Sequence, residues 1–103
     1  MNYDNLARLH YKKNPKSAVF WFVISSYAYY VRDESFLSDE VFDKMAKVIL
    51  DKGIKHSLLS HLITDEDLRA GSLFRLKASD YPNFIFEEAE RLIRGVKSYA
   101  SLE

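Results

Sequence analysis

The chain contains no cysteine. Disulfides, thiolate metal sites and a cysteine nucleophile are therefore excluded, and nothing asks for an oxidising compartment. Glycine and proline are scarce, three and two residues among 103, which argues against disorder and against a turn-rich all-β fold. Charge of one sign is lacking too, because 15 basic residues balance 15 acidic ones. A protein that held nucleic acid through its phosphates would be more basic, so no direct nucleic-acid contact is expected. The longest apolar run, Ala18 to Val31, is broken by Ser25 and Ser26 and falls short of the roughly 20 residues that cross a bilayer. Its bulky Phe20, Trp21 and Phe22 also suit a signal peptide poorly. The run reads as a buried core helix, with no membrane association.

What is present is apolar and helical in pattern. Nearly half of the residues are hydrophobic (48%) and 15% are aromatic, enough for one packed core. The whole chain, residues 1–103, is expected to form a single domain without linkers or repeats. The fold class expected is all-α, a small bundle of four to six helices.

A first helix is expected over Asn5–Lys13, with Leu6, Leu9 and His10 turned inward. Asn14-Pro15 punctuates and starts a second helix, Pro15 to about Val31, apolar nearly all round and hence the most buried. Residues 32–37 read as a loop. Ser38 caps a third helix whose first turn carries Asp39 and Glu40. Its inward face is Val41, Phe42, Met45, Val48 and Ile49, and Lys52-Gly53 closes it. Ile54–Ile63 holds a short helix or turn with Leu58, Leu59 and Leu62. Thr64 and Asp67 form a capping box for a brief helix ending at Gly71. Phe74 and Leu76 alternate with Arg75 and Lys77, which admits a short extended stretch. A last helix follows Tyr81-Pro82-Asn83 to about Tyr99, with the stripe Phe84, Ile85, Ala89, Leu92, Ile93 and Val96.

The most informative stretch is Tyr27–Met45, YAYYVRDESFLSDEVFDKM. An aromatic-rich helix ends in Tyr29-Tyr30, a short loop with Asp33 follows, and a second helix opens with Ser38-Asp39-Glu40-Val41-Phe42-Asp43. This pattern resembles the N-terminal helical hairpin, domain Ia, of bacterial NAD-dependent DNA ligases, over about a fifth of the chain. In that family the hairpin recognises the nicotinamide mononucleotide (NMN) half of NAD. The resemblance implies that Tyr29, Tyr30 and Phe42 meet the ring. It implies that Asp39 and Asp43 bind ribose hydroxyls or the carboxamide.

Physical chemistry agrees with that assignment. Asp39, Phe42 and Asp43 stand at i, i+3 and i+4, so one helix face offers two carboxylates around an aromatic plane. A cationic nicotinamide ring favours both. Arg32 is the nearest cation for the phosphate, without a family motif behind it. Two departures stand out. Tyr30 replaces the family's usual His, and Phe42 replaces a Tyr, so stacking is kept while hydrogen bonding is thinned.

The ligase's catalytic Lys-x-Asp-Gly motif is missing, and Lys77-Ala78-Ser79-Asp80 does not supply it. The chain is therefore expected not to be an enzyme. Two functions follow from the resemblance. The first is a non-catalytic module binding NMN or NAD, needing no cofactor of its own. The second is an accessory protein of bacteriophage type that acts by contact with a host protein, modulating a host enzyme. The cytoplasm, the host's for a phage-encoded chain, is the natural setting. An NAD hydrolase or transferase would need one of the aspartates to act as acid or base in an apolar pocket.

Plainer explanations exist for single residues. Tyrosines at a helix end pack at the boundary with their hydroxyls in water. Asp39 suits the first turn of a helix, and Asp43 has Lys47 at i+4 for an exposed ion pair. His56 and His61, five apart, do not share a helix face, so no metal site is expected with Asp65 or Asp67. Ser25, Ser26 and Ser57 lack a nucleophile setting.

Overall fold

The computed structural model describes residues 3–56, 59–73 and 75–102, with side chains described up to Arg94 in the last helix. Five α-helices follow in order: α1 (Asp4–Lys13), α2 (Ser17–Arg32), α3 (Asp39–Lys52), α4 (Asp65–Ala70) and α5 (Asn83–Leu102). Single 3-10 turns occupy Ser60–Leu62 and Ala78–Asp80. The protein is an all-α bundle. No strand forms among the described residues; of the short extended stretch that the alternation admits, Lys77 has an extended backbone, and Phe74 lies outside the described residues. Ser57 and Leu58 lie outside them too, as does the Val96 side chain.

Helix α2 is the axle of the bundle. Every residue from Trp21 to Ala28 is buried, as an all-round apolar sequence requires when neighbours cover each face. Helices α1, α3 and α5 all pack on it, and α4 packs on α3. Trp21, Phe22, Ile24 and Ile85 are among the largest fully buried side chains. Each such side chain contributes roughly 1.5–3 kcal/mol on burial.

Local chemistry sets the ends of α3 and α4. The Ser38 hydroxyl accepts from the Val41 N–H at 3.3 Å, and Gly53 closes α3 in the left-handed conformation at φ 58°. In α4 both arms of the capping box form, Thr64 Oγ1 accepting from Asp67 N–H and Asp67 accepting from Thr64 N–H. Helix α2 begins two residues later than the pattern suggests. Asn14 Oδ1 accepts the Lys16 N–H and shapes a tight turn through Pro15, so the asparagine caps the turn and not the helix.

Helix α1 departs from expectation in its facing. Leu6 and Leu9 are exposed, whereas Ala7 is fully buried. Tyr3, just before the helix, and Ala7 meet the core, whereas His10, expected to turn inward, is exposed and touches α2 at Trp21. Small Ala7 permits close approach, and Trp21 Nε1–H donates to His10 Nδ1 at 3.2 Å. The Tyr3 ring lies 5.8 Å from Trp21 and 5.5 Å from Phe36, and its hydroxyl donates to the Leu92 carbonyl of α5. An aromatic anchor thus outweighs two leucines in orienting a ten-residue helix.

The connection between α2 and α3 is fixed from both sides. Asp33 ends α2 with φ 53° and sends its N–H to the Ala28 carbonyl. Aspartate is among the few residues with a side chain that enter this region readily. Asp4 Oδ1 then accepts the Ser38 N–H at 2.8 Å, and Tyr3 N–H donates to the Phe36 carbonyl. Phe36 and Leu37 are buried beneath the loop. These bonds and buried rings tie down the loop where the two helices face one another.

Candidate functional site

Between the last turns of α2 and the first turns of α3 lies a cavity of about 290 Å³. It is lined by Ser25, Ser26, Tyr29 and Tyr30 from α2, Ser35, Phe36 and Leu37 from the loop, Asp39, Phe42 and Asp43 from α3, and Gly71 at the end of α4. Of the six residues singled out from the sequence, Tyr29, Tyr30, Asp39, Phe42 and Asp43 therefore meet in one hollow. Its size sits at the lower edge of the roughly 300–1,000 Å³ usual for small-molecule sites.

The helical register explains this convergence. Ser25, Ser26, Tyr29 and Tyr30, at i, i+1, i+4 and i+5, cover one side of α2, while Asp39, Phe42 and Asp43, at i, i+3 and i+4, share a face of α3. The fixed loop then turns these two faces toward each other. The wall is aromatic. Tyr29 and Tyr30 lie edge to face at 5.0 Å and 89°, and both remain exposed, Tyr29 by 59%. Phe42 stacks on buried Phe22 at 4.8 Å and 23°, so one ring face is held by the core. The Tyr30 hydroxyl shares a 2.8 Å hydrogen bond with Ser72 Oγ, which ties the end of α2 to the segment after α4.

Asp39 and Asp43 are both exposed and make no ion pair among the described residues. The pairing of Asp43 with Lys47 suggested by their spacing does not form. The Asp43 carboxylate instead lies against Gly71. The ordinary explanation of Asp43 as half of a surface ion pair is thereby removed.

Arg32 is the exception among the sequence-derived residues. It does not line the cavity. As the last residue of α2 it pairs with Glu90 of α5, in a separate, shallower depression with Tyr27, Phe86, Glu87 and Arg94. Proximity in sequence to Tyr30 was misleading because a two-residue step turns about 200° around a helix. A long-range carboxylate on α5 then captured the guanidinium.

Ser25, Ser26, Ser35, Phe36, Leu37 and Gly71 also line the cavity, outside the motif that the sequence displays. For the serines a signal existed, since two adjacent hydroxyls interrupt an otherwise apolar helix. Ser26 Oγ donates to the Phe22 carbonyl one turn back, and Ser35 Oγ donates to the Leu37 carbonyl. Ser25 is 4% exposed and its hydroxyl has no partner among the described residues. A buried hydroxyl without a partner is costly and calls for an explanation. No local signal marks Gly71 as part of a site, because its approach to Asp43 is tertiary.

Elsewhere, the buried hydroxyls of Ser17 and Tyr81 also have no hydrogen-bond partner among the described residues, whereas Asp67 is fully engaged. Arg75 Nε and Nη2 grip buried Asp67, and Nη2 also donates to the Leu62 carbonyl. Burial alone would raise the Asp67 carboxyl, but Arg75 and the two Thr64 bonds outweigh it and hold it below the usual carboxylate range. Tyr81 packs edge-on to Tyr27 at 5.3 Å, and burial, aided by neighbouring Tyr30 and Asp80, pushes its hydroxyl upward. It therefore stays protonated at neutral pH. Among the described residues no cluster of histidine and carboxylate suited to a metal ion assembles, and no helix is long and apolar enough to cross a membrane. No protein-family model, curated protein sequence or solved structure matches the chain.

Proposed function

We propose that the protein is a non-catalytic binding module for a nicotinamide nucleotide, NMN or the corresponding half of NAD, held between α2 and α3. The observation that carries this reading is the meeting of Tyr29, Tyr30, Asp39, Phe42 and Asp43, from two helices, around one cavity of about 290 Å³. Three rings offer stacking surface for a flat heterocycle, and cationic nicotinamide gains further from their electron-rich faces. The two unpaired carboxylates accept hydrogen bonds from ribose hydroxyls or the carboxamide. The volume suits a ring and a sugar, with the remainder of a dinucleotide left outside.

Calorimetric titration with NMN and with NAD tests the proposal. Saturable binding to the wild type that is lost in Asp43→Ala supports it. No heat at millimolar ligand overturns it and favours the second reading, an accessory protein of phage type working through contact with a host protein. The exposed Tyr29 and Tyr30 side chains favour that second reading, since tyrosines are over-represented among the residues that dominate protein interfaces. Release of free nicotinamide from NAD during incubation would overturn the non-catalytic part of the proposal.

A further inference from the structure

The charge around the cavity is unbalanced. Asp39 and Asp43 are among its lining residues, and among the described residues no lysine, arginine or histidine lines it. Arg32, the nearest cation along α2, is engaged by Glu90 outside the cavity. A phosphorylated ligand would have to bring one or two negative charges to the rim of a hollow that already holds two.

The first turn of α3 offers a phosphate backbone donors, of which those of Ser38, Val41 and Phe42 are already used. Ser38 N–H donates to Asp4 Oδ1 at 2.8 Å, Val41 N–H to Ser38 Oγ at 3.3 Å and Phe42 N–H to the Ser38 carbonyl at 2.9 Å. A helix N-terminus carries an effective charge of about +0.5, and the C-terminal end of α2 opposes it with about −0.5. Asp4, Asp39 and Glu40 lie at that same α3 terminus and outweigh the remainder. Anion binding there is disfavoured. Cation binding in the cavity is favoured.

A separate observation points to an uncharged polar group at the inner end of such a ligand. Ser25 lines the cavity, is 96% buried by its 4% exposure, and its hydroxyl has no partner among the described residues. A hydroxyl both donates and accepts, so a carboxamide would satisfy it through either its oxygen or its NH₂. The combination of a buried neutral hydroxyl, aromatic walls and two carboxylates suits a planar carboxamide-bearing cation.

We infer that the cavity selects an oxidised, unphosphorylated pyridinium nucleoside over its 5′-phosphate and over its reduced, uncharged form. The inference rests on the nucleotide reading above and shifts its preferred ligand from NMN to the nucleoside, NMN remaining a weaker ligand of the same cavity. The pyridinium charge and the aspartates attract at close range, whereas the phosphate is repelled across a partly solvated gap. Such interactions translate into about three- to tenfold weaker binding of the phosphate, and about tenfold for loss of the ring charge.

Calorimetric titration with nicotinamide riboside, NMN and reduced nicotinamide riboside, at low and at high salt, provides the test. The riboside is expected to bind at least threefold more tightly than NMN, with the difference shrinking at high salt. The reduced riboside is expected to bind about tenfold more weakly than the oxidised form. In the Asp39→Asn/Asp43→Asn protein, whose changes fall on exposed positions, both preferences are expected to vanish while the thermal midpoint stays close to wild type. NMN binding as tightly as the riboside, equal affinity for reduced and oxidised rings, or preferences that survive the double substitution would overturn the inference and leave a nucleotide site standing. Absence of binding by all three compounds would instead remove the nucleotide reading itself.

Discussion

Asp43 Oδ1 lies 3.1 Å from the position that a Cβ atom on Gly71 would occupy. The contact joins the carboxylate face of α3 to the end of α4 and sets one wall of the cavity. Gly71 also adopts φ 66° as the closing residue of α4, so a side chain there meets both backbone strain and a crowded neighbour.

Gly71→Ala is therefore expected to destabilise the fold by about 1–3 kcal/mol, the cost of a left-handed alanine together with displacement of Asp43. Chemical denaturation of the single and double variants separates the two causes. In an Asp43→Ala background the Gly71→Ala cost should fall by roughly 0.5 kcal/mol or more, because the crowded group is gone. An unchanged cost would assign the whole effect to backbone strain.

The Tyr30–Ser72 hydrogen bond has a smaller, separable role. Tyr30→Phe keeps the ring beside the cavity and loses only the hydroxyl, so stability should drop by about 0.5–1.5 kcal/mol. If the cavity holds a nicotinamide nucleotide as proposed, affinity for it should change little. Tyr30→Ala, by contrast, removes stacking surface and should weaken binding by about tenfold. Equal affinities of the Phe and Ala variants, measured by titration, would show that the ring does not touch the ligand.

Acid sensitivity is expected to centre on Asp67. Its carboxyl is held below the ordinary value of 3.8 by Arg75 and Thr64, against the opposing effect of burial. A depressed carboxyl stabilises the folded state above its unfolded pKa and loses that contribution as pH falls through its folded pKa. Urea midpoints should thus hold steady above about pH 5 and decline below about pH 4. In Asp67→Asn that part of the decline should be absent. The substitution should also cost about 1–3 kcal/mol at neutral pH, through the weakened cap and the Arg75 guanidinium left without its partner.

Trp21 supplies a spectroscopic check on how α1 docks. It is the only tryptophan, 2% exposed, and its indole N–H donates to His10 Nδ1. His10→Ala should leave that donor without its acceptor, cost about 1–3 kcal/mol and shift the tryptophan emission. His10→Gln, which offers a carbonyl acceptor, should restore part of both. Identical emission from the wild type and His10→Ala would refute the contact.

The sequence reading succeeded where interactions are local. Ser38, Gly53, Thr64 with Asp67, and Gly71 mark helix ends because capping depends on residues three or four apart. The run from Ala18 to Val31 identified the most buried helix because no solvated face can be drawn on it. The helical spacing of Asp39, Phe42 and Asp43 likewise put them on one face in advance. Each of these follows from backbone geometry that the neighbouring residues carry with them.

Orientation of whole helices was a different matter. Leu6 and Leu9 promised an inward face for α1, but Tyr3 and Ala7 won it through Trp21, Phe36 and the Leu92 carbonyl, all distant in sequence. Arg32 stood two residues from Tyr30, and Glu90 drew it to another side of the bundle. Whether the α2 and α3 faces would meet, or their hollow be filled, depended on Asp33, Phe36 and the bond from Asp4 to Ser38, together with the approach of Gly71. The sequence by itself determined the helices, their caps and which side chains share a face, since those depend on neighbours three or four residues away. Only the tertiary structure decided which faces meet and that an open cavity remains between them, because packing is a competition among all surfaces at once.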